Sequence, residues 1–211
     1  MAIVRVREHV NPLSRRYQAP TVPPDWSQIY ADPTQPLHLD IGCGRGRFLL
    51  QMAPLEPRWN FLGLEIREPL VDQANSWRSD LSLRNLHYLF CNANTSLAPL
   101  LTSLPFGVLQ RVSIQFPDPW FKRKQQKRRV VQPELIAAMM PHLAPGGLIF
   151  IQSDVRDVAE EMYDRLATHP ELEPKPPGKW LTANPMPIAT EREQSTLERG
   201  EPVYRALFTR L

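Results

Sequence analysis

The sequence predicts an α/β fold: a parallel sheet covered by helices on both faces. Three observations predict it. Apolar runs of strand length alternate with helical segments from residue 36 to residue 168. Glycines cluster immediately after the first of those strands. Acids or amides then stand at the tip of one strand after another. Alternating strands and helices are the pattern of parallel sheets, whose ligands bind beyond the carboxyl ends of the strands.

The elements follow in order. Residues 1–35 are proline-rich and irregular and predict an arm rather than a domain; residues 36–211 carry the domain. "PLHLDIG" (36–42) is a short buried strand, followed by glycines and the helical "RFLLQMA". "NFLGLEI" (60–66) is a second strand, with a helix over 67–80. "LHYLFCN" (86–92) and "QRVSIQFP" (110–117) are the third and fourth strands. "QPELIAAMMPHL" (132–143) is a helix, stopped by Pro145-Gly146-Gly147. "GLIFIQSD" (147–154) is a fifth strand and 155–168 another helix, and "VYRALFTRL" (203–211) closes the chain as a strand. There is no internal repeat.

Composition narrows the class. The chain has 211 residues, 42% hydrophobic and 22% charged, which suits one globular domain. No apolar run approaches the ~20 residues that span a bilayer, and "MAIVRVREHVNPLSRRY" lacks the apolar centre of a secretory signal. A cytoplasmic protein without a membrane partner is the expectation. Cys43 and Cys91 stand alone, without CxxC or HxxH spacing, so no metal site is expected. Net charge is only +3, yet Lys122, Arg123, Lys124, Lys127, Arg128 and Arg129 fall together without one acid among them. Such a patch on a near-neutral chain points to a polyanion at one place.

"LDIGCGRGRFLL" sets Gly42, Gly44 and Gly46 between strand and helix, where glycine permits a tight turn and close approach of a ligand. The spacing is G-x-G-x-G with Arg47 in the sixth position, which departs from the dinucleotide fingerprint, and no Lys-Ser/Thr follows as in a P-loop. Asp40 precedes the glycines and suits an amine or sulfonium better than a pyrophosphate. Glu65, at the second strand's tip, can accept from ribose hydroxyls. Asn92, at the third, can pair with an adenine edge. Taken together, "LDIGCGRG", "LGLEI" and Asn92 resemble the class I S-adenosylmethionine-dependent methyltransferases. That resemblance implies a Rossmann-like, mostly parallel seven-stranded sheet and S-adenosyl-L-methionine as cofactor.

After the fourth strand, Asp118 stands between Pro117 and Pro119, which limit its freedom and pre-position its carboxylate. Trp120 is available to pack or to stack on a base, and the following cations can grip phosphates. With the glycine loop, "PDPWFKRKQQKRR" is similar to the tRNA (guanine-N7-)-methyltransferase family, from about Leu37 to the C-terminus. The resemblance implies tRNA as partner and guanine-46 of the variable loop as target. It implies Asp118 as the active-site residue, and Asp40, Gly42, Glu65, Asn92 and Asp118 around the cofactor. It further implies Lys122, Asp154, Thr190 and Glu193 on the substrate, the last two from "TERE" as T-x-x-E. Lys124, Gln125, Gln126, Lys127, Arg128 and Arg129 would then contact RNA.

The chain departs from the family pattern in three respects. Asn92 replaces an acid, Phe121 and Gln125 stand where histidine is frequent, and Arg192 replaces an aromatic inside T-x-x-E. Two other readings use the same residues. Exocyclic-amine methyltransferases of RNA or DNA carry D/N/S-P-P-Y/F/W after strand four, whereas this chain reads Pro117-Asp118-Pro119-Trp120. A non-catalytic RNA-binding protein on this fold would have no need of Asp40, Glu65 and Asp118 together.

Overall fold

The computed structural model describes residues 4, 6, 10–176 and 178–211. Most of the first nine positions of the expected arm therefore lie outside the described residues. Among the described residues the elements run α1 (Trp26–Ile29), β1 (Leu37–Ile41), α2 (Arg47–Leu55), β2 (Asn60–Glu65), α3 (Glu68–Asp80) and β3 (Leu86–Phe90). They continue with α4 (Ala93–Thr102), β4 (Leu109–Gln115), α5 (Pro133–Met139), β5 (Leu143–Ser153), α6 (Arg156–Ala167), β6 (Leu172–Pro174), α7 (Glu191–Glu198) and β7 (Tyr204–Arg210). The strands form one seven-stranded sheet in the order β3-β2-β1-β4-β5-β7-β6. β1 to β5 pair in parallel, and β7 runs antiparallel to both β5 and β6.

Period-two alternation divides the strands between two cores. Leu37, Leu39 and Ile41 of β1 and Leu62 and Leu64 of β2 join one cluster, with α4, α5 and α6. Phe61 joins the other, with Phe48, Leu49 and Met52 of α2 and Tyr88 of β3. His38 and Asp40 therefore lie on the α2 side of the sheet, and the His38 ring sits 5.9 Å from Phe48 and 5.6 Å from Phe61.

Six elements differ from the sequence expectation. α1 is folded into the domain: Trp26 and Tyr30 are core residues, Trp26 Nε1 donates to Ser103 Oγ at 2.8 Å, and the Tyr30 hydroxyl donates to the Phe61 carbonyl at 3.0 Å. α4 was not expected, and its helix contains Pro99 and a polar first turn; the Asn92 side chain caps it by accepting from Asn94 N. α5 ends at Met139, and β5 begins at Leu143, before the Pro-Gly-Gly expected to stop the helix. β5 accommodates that turn by a register shift opposite Leu109 and Arg111. β6 and α7 had no strand or helix period, although T-x-x-E has the spacing of a capping box, half of which forms: Thr190 Oγ1 accepts from Glu193 N at 3.1 Å.

β1 and β4 are neighbours, but the chain leaves β1 toward β2 and leaves β4 toward β5. This is the switch point of the sheet, where the two departing loops part and open a crevice.

The glycine loop is fixed by packing. Gly46 has φ +74°, and a Cβ there would lie 2.6 Å from Tyr88 Cε1 and 2.9 Å from Ala74 Cβ. Gly107, at φ +78°, has nothing within 4 Å of the same position. Gly46→Ala should therefore destabilise by about 3 kcal/mol, since overpacking adds to left-handed strain, and Gly107→Ala by about 1 kcal/mol. Urea denaturation of the two variants checks the difference.

Candidate active site

The carboxyl ends of β1, β2, β4 and β5 converge on the crevice. From β1, the chain turns through Gly42 at φ +80° and Gly44 at φ +58°, and a Cβ at either would meet nothing within 4 Å. That open space leaves the loop backbone approachable by a ligand. Glu65 at the end of β2 ties the loop down: its Oε2 accepts from Gly44 N at 2.9 Å and from Arg67 Nη2 at 3.1 Å. Its Oε1 accepts from Arg67 N and Nε at 3.0 and 2.9 Å.

Asp40 is buried, and its Oδ1 accepts from Ser113 Oγ at 2.6 Å and from Gln115 Nε2 at 3.3 Å. Burial pushes its carboxyl up to about 6; the two hydrogen bonds hold it down in part, and the charge of Glu65 adds to the rise. Burial also raises Cys43 and lowers His38, so neither is charged near neutral pH.

Two adjoining cavities occupy the crevice. The first is walled by Ile41, Leu64, Glu65, Ile66, Cys91, Asn92 and Ala93, with Val10 and Pro12 of the N-terminal arm. The second, about 450 Å³, is walled by Asp40, Gly44, Arg45, Gln115, Phe121, Asp154, Thr190, Glu191 and Arg192. Gly42, Arg67, Phe116, Pro117 and Asp118 belong to both walls. Asp118 thus stands at the partition. Its loop leaves β4 through Phe116 at φ +50° and ends at Trp120 at φ +44°, two left-handed residues that the surroundings must hold. Arg129 does part of that holding: its Nε donates to the Pro119 carbonyl at 2.8 Å while its Nη1 pairs with Glu161 of α6. Arg128 stacks over the Trp120 ring at 4.9 Å, a cation–π contact that fixes the indole.

The basic run forms a 3-10 helix over Arg123–Arg128. Its six cations therefore separate by role. Lys122, Arg123, Lys124 and Lys127 are exposed, and Gln125 and Gln126 half-exposed. Arg128 is half-buried on the first cavity's wall, and Arg129, 6% exposed, points inward. Lys122 lies on neither cavity wall.

The remaining sequence candidates divide similarly. Asp154 and Thr190 line the second cavity, and Asp154 Oδ2 accepts from Arg192 Nε at 2.9 Å. Glu193 does not reach it. It is 1% exposed and binds Arg205, Gln152 and Asn184. Asn92 borders the first cavity, but its Nδ2 donates to the Pro12 and Tyr17 carbonyls, both at 3.1 Å, so its amide is engaged in holding the arm across the cavity. Sequence reasoning did not single out Arg67, Gln115 or the Arg192–Asp154 pair. Arg67 follows the acid of β2 by two residues and Gln115 precedes Asp118 by three, so strand-tip position was the available signal for both.

Comparison with known proteins follows the same lines. A family model described as "Putative methyltransferase" matches residues 34–206. The chain is 63% identical over 211 residues to a tRNA (guanine-N(7)-)-methyltransferase of Trichormus variabilis, covering 100% of this chain and 98% of the relative. It is 51% identical to one of Synechocystis, covering 100% and 99%. Among solved structures, it is similar to a precorrin-6y C5,15-methyltransferase of Geobacter metallireducens (TM-score 0.55, 17% identity, 83% and 82% covered). It is also similar to a SAM dependent methyltransferase of Aquifex aeolicus (TM-score 0.54, 11% identity, 88% and 87% covered). At such identities these two speak for the fold alone.

The separation of the cations is measurable. Arg129→Ala should destabilise the protein by about 2 kcal/mol, because it removes a buried pair while Glu161 keeps Arg165 at 2.6 Å. Lys124→Ala and Lys127→Ala should each change stability by less than about 0.5 kcal/mol. Urea denaturation of the three variants provides the comparison.

Proposed function

The chain belongs to the tRNA (guanine-N7-)-methyltransferase family, and on that premise we propose that it methylates guanine-46 of the tRNA variable loop with Asp118 at the reaction centre. It is an enzyme that transfers a methyl group from S-adenosyl-L-methionine to N7 of guanine in tRNA. Among the described residues no helix is long and apolar enough to cross a membrane, and a tRNA substrate is consistent with work in the cytoplasm. The observation that carries the proposed site is Asp118 on the wall common to both cavities.

The residues of the first cavity fit an adenosyl group. Ile41, Leu64, Ile66 and Ala93 offer apolar walls for a flat base. Glu65 already accepts four bonds from Gly44 and Arg67, so ribose hydroxyls would reach its carboxylate by displacing the Arg67 side chain. Asp40, buried and with its Oδ1 taken by Ser113 and Gln115, keeps Oδ2 for the amino group of the methionine part. Asn92 contributes its position rather than a free amide. When bound, the cofactor would supply an electrophilic methyl carbon on a sulfonium, a neutral thioether being the leaving group.

Guanine N7 presents a lone pair and loses no proton, so no residue is required as a base. The chain's task is alignment and electrostatics. Asp118, fixed between two prolines on a loop held by Arg129, would orient the purine and favour the positive charge it gains. Asp154 and Thr190 line the second cavity and would hold the guanine edge. The carboxylate of Asp154 accepts from N–H donors of the kind guanine N1 and N2 carry. Arg192 Nε and Nη2 both bind Oδ2 of that carboxylate, so Oδ1 is the oxygen on the guanine's side of the pair. Lys122, Lys124 and Lys127 are exposed beside the site and would take phosphates, with Gln125 and Gln126 between them.

Methyl transfer from labelled cofactor to unmodified tRNA, followed by borohydride and aniline, tests both product and position. Chain scission at residue 46 is expected. A methylated product that resists scission would favour exocyclic-amine transfer, and scission elsewhere would overturn the position. Asp118→Ala should slow single turnover by about 10²–10³-fold, and Asp118→Asn should separate orientation from charge. Between about pH 7 and 9 the chemical step of the wild type should be nearly flat, since no base titrates in it.

A further inference from the structure

Glu193 lies too deep to touch a substrate, yet it is joined to Asp40 by an unbroken chain of side chains across three strands. Gln152 Nε2 donates to Glu193 Oε2 at 3.1 Å and to Gln115 Oε1 at 2.8 Å. Gln115 Nε2 donates to Asp40 Oδ1 at 3.3 Å. The direction of the chain is fixed at its far end. Glu193 accepts two bonds from Arg205, at 2.7 and 3.1 Å, and one from Asn184 at 2.7 Å, so it is a carboxylate that can only accept. Gln152 must therefore turn its NH₂ toward Glu193. Its second N–H then meets Gln115, which must offer its oxygen and turn its own NH₂ to Asp40. Gln152 Oε1 is left buried without a partner among the described residues. Burying a carbonyl unpaired is costly, and turning the amide over would set that oxygen against two acceptors instead. We propose that Glu193, Gln152 and Gln115 are positioning residues, a relay of fixed direction that keeps an N–H donor on Asp40 and so sets cofactor affinity from beneath the substrate helix α7.

The proposal rests on the reading of Asp40 as the acid that meets the cofactor's amine. An N–H donor favours the ionised carboxyl, and the ionised carboxyl binds a cation. With the relay broken, Asp40 should ionise at higher pH and the amine-bearing ligand should be lost at higher pH as well. The other groups facing Asp40 leave that window clear. His38 reaches it through Ser113 and is neutral; Cys43 and Tyr88 are pushed up by burial; Arg45 shares the cavity wall with it. Glu65 raises Asp40 by its charge and is untouched by changes in the relay.

The test uses the full chain. Gln152→Met keeps length and adds no buried charge; Gln115→Met removes the last donor directly; Glu193→Gln abolishes the fixed direction. The Asp40 carboxyl is followed by carbon NMR in the free protein, and affinity for S-adenosylhomocysteine by calorimetry from pH 5 to 8. In the wild type, affinity should fall as pH drops through about 6. In each variant both the Asp40 titration and the affinity inflection should move up by about one unit. Near pH 6.5 the variants should bind several-fold more weakly, a gap that closes toward pH 8. Thermal unfolding shows which variants fold, and Gln152→Met carries the test if Glu193→Gln, which leaves the Arg205 charge unpaired, does not. Asp40 titrating where the wild type does in the folded variants would overturn the relay, as would affinity that fails to follow Asp40. A wild type that binds no S-adenosylhomocysteine at any pH would instead overturn the reading of the site.

Discussion

A buried carboxylate at the point where two strands part is the constraint on which this structure depends. Asp40 lies one residue before the end of β1, and the neighbouring strand β4 supplies both Ser113 and Gln115 to hold it. Without those partners, an acid at 4% exposure would be protonated or would force the strands open. With them, the switch point of the sheet carries a negative charge where the glycine loop, the Asp118 loop and α7 come together. The glycines leave room above it, Glu65 anchors the loop beside it, and the two cavities meet in front of it.

The positive charge of the chain is arranged around this acid in two layers that the sequence does not distinguish. Arg67, Arg128 and Arg129 are structural cations. They brace Glu65, Trp120 and the Pro119 carbonyl, and so hold the walls on which Asp118 stands. Lys122, Lys124 and Lys127 are exposed and available to a polyanion. The division follows from side-chain chemistry: arginine can form several directed hydrogen bonds while partly desolvated, whereas lysine is a strongly hydrated point charge that favours the surface.

Much of the fold was legible because a parallel sheet writes itself as apolar runs. β1 to β5 and β7 were each visible as such a run, and the acids at the tips of β1, β2, β4 and β5 marked the crevice. What escaped detection lacked a period. α4 carries Pro99 and polar residues that imitate a loop, β6 is three residues long, and α7 is polar on most of its surface. At the site, strand position correctly brought Asp40, Glu65, Asp118 and Asp154 to one crevice. Motif reading could not tell an inward from an outward side chain. Glu193 and Arg129 are polar residues in motifs expected to meet ligands, yet both are spent on buried ion pairs, with Arg205 and Glu161 respectively. Burial of that kind depends on contacts far apart in sequence, which a local pattern does not record.

The central claim is that the two cavities joined at Asp118 divide the work, one for the nucleoside of the cofactor and one for the guanine. A crystal structure of the chain with S-adenosylhomocysteine tests it most directly. The account predicts the adenosine between Glu65 and Asn92, the amino acid part beside Asp40 at one end of the second cavity, and the Asp154 end of that cavity still open. Adenosine found instead in the cavity of Asp154 and Arg192, with the Glu65 cavity empty, would contradict it.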